Sequence, residues 1–64
     1  MDYRKRVEFI AEAYLNHEYG DVVNALNELP PTKAAMTILG VRKEIDTLGN
    51  HFVTDFERWC RENL

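Results

Sequence analysis

Apolar residues recur along the 64-residue chain at helical spacings, and Gly20, Pro30–Pro31 and Gly49–Asn50 cut the pattern into four segments. In the first, Tyr3, Val7, Ile10 and Tyr14 follow at intervals of 4, 3 and 4, with Ala11 and Leu15 widening the stripe. Residues so spaced share one face of a helix. The spacing predicts a helix over 2–19, closed by Gly20 as a left-handed C-terminal cap. In the second, Val22, Val23, Leu26 and Leu29 predict a short helix over 21–29 with Asp21 as N-cap. Pro30–Pro31 stop it, because a residue before proline is driven out of helical geometry.

The third segment restarts at Pro31 or Thr32, where a proline is tolerated. Ala34, Ile38, Val41, Ile45 and Leu48 then form the cleanest seam of the chain, at 4, 3, 4 and 3. A central helix over 32–48 follows, ended by Gly49. The fourth segment predicts a helix over 51–63, capped by Asn50 or by Thr54, whose spacing to Glu57 has the capping-box form. Phe52, Phe56, Trp59 and Cys60 make its inner face. No segment alternates with period two between turn signals, so no strand is expected. The expected fold is all-α: one compact three- or four-helix domain spanning residues 1–64, packed as a homodimer.

Composition adds limits. Apolar residues make up 45% and charged residues 30%, which places the chain in the folded class. A domain this small buries only about 60% of the surface its unfolded chain exposes. Without a disulfide, its stability rests on helix packing or oligomerisation. A formal charge of −3 argues against a generic polyanion binder, whose affinity comes from many Lys/Arg–phosphate contacts. The lone Cys60 makes neither an intrachain bridge nor a thiolate metal site, and suits a reducing compartment. No apolar run approaches the ~20 residues of a membrane span, and Glu8 and Glu12 interrupt what would be a signal-peptide core. The expectation is a cytoplasmic protein with no membrane partner.

Candidate chemistry is sparse. There is no serine, no Gly-rich phosphate loop and no His-Glu-x-x-His motif, and Cys60 stands far from any helix N-terminus that would activate it. No catalytic residue, cofactor or metal site is assigned. His17 and Asp21, like His51 and Asp55, are four apart, a spacing at which a continuous helix can share a metal. Gly20 is expected to break the first pair and Asp55 suits a first turn, so surface or capping roles are assigned to both.

The run Leu29–Thr32 has the length of a helix-turn-helix turn. The helix after it, however, offers only Lys33 and Thr37 near its start to meet base edges, and Arg42 and Lys43 are flanked by Glu44 and Asp46. Arg42 and Lys43 are placed on the solvent side. Gly40 costs a helix ~1 kcal/mol relative to alanine, and with the small Ala34 and Ala35 it points to close approach of a neighbouring helix. Phe9, Ala13, Met36 and Leu39 lie off the seams and, with Gly40, form the candidate interface. Arg4, Lys5 and Arg6 are the one basic cluster, a candidate anchor at a helix N-terminus where the dipole disfavours cations. The expected function is non-enzymatic: a helical protein–protein interaction module, a regulator or inhibitor that binds another protein and forms a homo-oligomer. The alternative is a small dimeric nucleic-acid-binding regulator using Arg4–Arg6 or the third helix.

Overall fold

A computed structural model describes residues 2–64, with backbone alone at Asn50 and His51. All regular structure among the described residues is helical, in the order α1 (Tyr3–Leu15), α2 (Tyr19–Asn27), α3 (Pro31–Asp46) and α4 (Asn50–Asn63). The Cα radius of gyration is 10.5 Å, matching the roughly 11 Å of a compact domain of this length.

Asp2 starts α1. Its backbone is extended and its carboxylate accepts the Lys5 N–H at 2.8 Å, which satisfies one of the unpaired donors of the first turn. The end of α1 departs from expectation. The Glu18 N–H donates to the Ala13 carbonyl at 2.8 Å and the His17 N–H to the Tyr14 carbonyl at 3.0 Å, the two bonds of a Schellman closure. The left-handed residue is His17, at φ 62°. Gly20 instead sits in the first turn of α2 with open space around it. Asp21 is likewise inside that turn, and Glu18 holds the N-cap position without a side-chain bond. The closure falls three residues before Gly20, so the left-handed position is taken by a non-glycine residue.

Pro30, at φ −58° and ψ 153°, is extended, as a residue before proline should be. Pro31 opens α3, where its missing N–H would have no partner anyway. The helix stops at Asp46, short of the expected 48, so Leu48 drops out of the seam and is 57% exposed. Gly49, at φ 151°, turns the chain into α4. Gly49 holds the N-cap position of α4, so neither Asn50, its first residue, nor Thr54, further in, is the expected cap.

One core joins the four helices: Val7, Ile10, Ala11, Ala13 and Tyr14 from α1, Val22 and Leu26 from α2, Val41 and Ile45 from α3, and Phe56 from α4. Burying a side chain such as Phe56 contributes about 1.5–3 kcal/mol. α1 packs on both α2 and α3, and α3 on α4. Ala13, expected on the surface, is 4% exposed. α2 folds back three residues after α1 ends, so the last turn of α1 is covered from two sides and its buried face is wider than one stripe. Thr37 is also buried, and its hydroxyl donates to the Lys33 carbonyl at 2.8 Å.

Candidate docking groove

Tyr3 crosses α3 at Gly40. Its hydroxyl donates to the Met36 carbonyl at 3.1 Å. A Cβ on Gly40 would collide with the Tyr3 hydroxyl and would stand 2.8 Å from Val7 Cγ2. The glycine therefore lets α1 approach the α3 backbone, and the exposed half of Tyr3 becomes one wall of a groove of about 560 Å³. Met36 and Leu39, both 56% exposed, form its apolar lip. Val53 of α4 lines it further, and Arg42, Lys43 and Asp46 supply its charges. Met36, Leu39 and Lys43 stand at i, i+3 and i+7, which aligns them on the outer surface of α3.

Arg42 is not on the free solvent side. Its guanidinium pairs with Glu57 at 2.7 Å, both side chains half-buried, and so ties α3 to α4. Lys43 is exposed and forms no ion pair among the described residues.

The sequence-level interface residues therefore divide into three places. Met36, Leu39 and Gly40 meet at the groove. Ala13 belongs to the core. Phe9, 44% exposed, lies on the other side of α1 in a second cleft of about 470 Å³, with Arg6, Ala25 and Leu29. Asp21, Asn24 and Glu28 rim that cleft from α2. The spacing of Tyr3 places it in the α1 seam, whereas in the structure it is a wall of the groove. The signal that marks it is the pairing of a terminal aromatic with a lone glycine in a facing helix.

The basic cluster is partly engaged. Arg4 pairs with Glu8 at 3.1 Å on an exposed surface, and Asp2 caps the turn that carries Arg4, Lys5 and Arg6. At the start of α3 Lys33 is exposed and Thr37 is buried.

At the opposite end of the molecule Tyr14, Tyr19, Phe56 and Trp59 form an aromatic cluster. Tyr14 meets Phe56 edge-on at 5.0 Å, and Tyr19 stacks on Trp59 at 5.4 Å. His17 Nδ1 lies 2.7 Å from the Tyr19 hydroxyl. His17 and Asp21 do not share a helix, because His17 occupies the turn; the His51–Asp55 pair involves a side chain outside the described residues. Among the described residues no group of three His, Cys, Asp or Glu is placed to hold a metal. Burial, with a smaller effect from the nearby Glu57 charge, pushes the Cys60 thiol up from 9.0 to about 11, so it is a poor nucleophile at neutral pH. No helix of the described residues is long and apolar enough to cross a membrane. Comparison with protein-family models, curated proteins and solved structures gives no match.

Proposed function

We propose that this chain is a non-enzymatic protein-interaction module, a cytoplasmic regulator or inhibitor that modulates another protein by binding it through the groove between Tyr3 and the outer face of α3. The observation that carries the reading is the exposure of Met36 and Leu39 beside Tyr3, on a domain whose core is already filled by other residues. Clustered exposed apolar side chains rimmed by charge are characteristic of interaction surfaces. Lys43 at the rim, exposed and without an ion pair among the described residues, favours a partner that presents an apolar side chain next to a carboxylate. The same chemistry suits self-association, and a homo-oligomer is part of the reading.

The test begins with capture of partners from a lysate of the source organism by the parent chain and by Met36→Asp. Each protein lost in the variant is then purified and its affinity measured directly. The reading expects a complex weakened about tenfold or more by Met36→Asp, which is ~1.4 kcal/mol, with helicity unchanged. Equal binding by the folded variant would overturn it. Duplex DNA titrated at rising salt tests the nucleic-acid alternative, which requires affinity that falls steeply with salt.

A further inference from the structure

The acid excess of the chain is confined to one segment. Residues 16–30 hold Glu18, Asp21 and Glu28 and no lysine or arginine, and the remaining eight acids and eight bases cancel. The whole formal charge of −3 therefore lies on α2 and its flanks. Asp21 and Glu28 are exposed on the rim of the cleft that contains Phe9 and Leu29, and neither forms an ion pair among the described residues. The cleft thus holds apolar Phe9, Ala25 and Leu29, Arg6 on its α1 side and two acids on its α2 edge, so its net charge is negative. The outer face of α3 has the opposite character. Met36 and Leu39 project from it with Lys43 beside them and Asp46 one turn further on, and Lys33 is exposed at its start, so the face is net positive by one charge. One chain carries two apolar surfaces of complementary charge on different sides of the molecule.

From this we infer that the occupant of the groove face, when no other partner is present, is a second copy of the chain, docked head-to-tail: Met36, Leu39 and Lys43 of one copy lie against Phe9, Asp21 and Glu28 of the next. The inference rests on the reading of the Met36–Leu39 face as a docking surface and names what covers it. The interface is heterologous, since different patches meet, so it closes into a ring or continues as a filament according to its rotation. A standard interface takes about 800 Å² from each partner, close to a fifth of the 4473 Å² that one chain exposes. α3, sixteen residues long, runs about 24 Å and offers a face of the needed length. Opposed charges at the rims orient the two copies and disfavour like-on-like pairing. A protein that binds the α3 face has to displace the neighbouring copy, so self-association holds the docking surface covered until that partner arrives.

The test uses two chains, each disabled on one face. Asp21→Lys with Glu28→Lys reverses the cleft and leaves the α3 face intact. Met36→Asn with Leu39→Asn removes the apolar lip of α3 and leaves the cleft intact. Asn24→Arg, an exposed change in the cleft, is a second cleft variant, and circular dichroism confirms that each chain is folded. Light scattering over a concentration series should show the parent above the 7.5 kDa of one chain, with association weakening from about 0.1 M to about 1 M salt as the screening length falls from ~10 Å to ~3 Å. Each variant alone should be a monomer. Their equimolar mixture should form a species of twice the single-chain mass and nothing larger. A monomeric parent, or cleft variants that assemble as the parent does, overturns the inference, while loss of a captured partner in Met36→Asp would still stand as support for the docking surface itself.

Discussion

The Tyr3 hydroxyl donates to the carbonyl of Met36, and its ring lies over Gly40, so that one contact both joins α1 to α3 and builds the wall of the groove. The bond is to a main-chain oxygen, independent of the Met36 side chain, which is left free to project outward. Tight packing and an open apolar lip therefore coexist within one turn of α3.

Gly40→Ala tests that contact. In an exposed helix interior the change should stabilise by ~1 kcal/mol through propensity. Here the new methyl meets the Tyr3 hydroxyl and Val7 Cγ2. The tyrosine tip can swing away, but Val7 is β-branched and stiff. The expected outcome is a net loss of about 1–3 kcal/mol, as for other overpacked sites, measured by denaturant titration. Tyr3→Phe in the same background should recover only part of it. A more stable Gly40→Ala would mean that the helices do not approach as described.

His17→Gly tests the turn. A non-glycine residue in the left-handed region carries a cost of about 1–2 kcal/mol, and glycine removes it. The loss of the Tyr19 contact offsets part of the gain. The melting temperature should rise by a few degrees, on a scale of about 4–8 °C per kcal/mol for a small domain. A fall would show that the imidazole–phenol contact outweighs the backbone strain.

Arg42→Ala removes the bridge to Glu57. The pair is half exposed, and such pairs contribute about 0–1 kcal/mol. The buried Arg42 Nε has no hydrogen-bond partner among the described residues, which offsets some of that. Stability should change by less than about 1 kcal/mol, and the difference should shrink in high salt. A loss of several kcal/mol would place the pair in a drier environment than its exposure indicates.

Cys60 and Tyr14 predict sensitivity to alkali. Burial raises both above their ordinary values, the thiol from 9.0 to about 11 and the phenol from 10.0 upward. The unfolded chain loses these protons first, so the stability they lend is complete below about pH 9 and declines as pH rises towards 11. Melting temperatures between those limits should fall, with a shallower slope in Cys60→Ala. At pH 8 the native thiol should react with a thiol reagent roughly 100-fold more slowly than the unfolded chain, in proportion to its thiolate fraction. Equal rates would place Cys60 outside the packed face of α4.

Much of this fold is legible in the residues. The stripe Val7, Ile10, Tyr14, the seam Val41, Ile45 and the face around Phe56 all enter the core, because helical periodicity reports directly on which side is apolar. What spacing does not report is the width of a buried face. Ala13 and Thr37 are buried because α1 and α3 each contact more than one helix, and nothing local marks that. Helix ends are not legible where a residue other than glycine takes the left-handed position of the closure, as His17 does. Of the groove, the exposure of Met36 and Leu39 and the close approach at Gly40 could be anticipated. The position of Tyr3 depends on where α1 starts relative to α3, and the separation of Phe9 onto another surface depends on how α2 folds back.

The most direct measurement is amide chemical-shift mapping of the isotope-labelled chain as its purified binding partner is added. The perturbed amides should cluster at Tyr3, at Met36 to Lys43 and at Val53, and Leu39→Asp, still helical, should abolish the shifts. Perturbations centred on Arg4 to Arg6, with Met36, Leu39 and Gly40 unmoved, would contradict a docking surface at the groove.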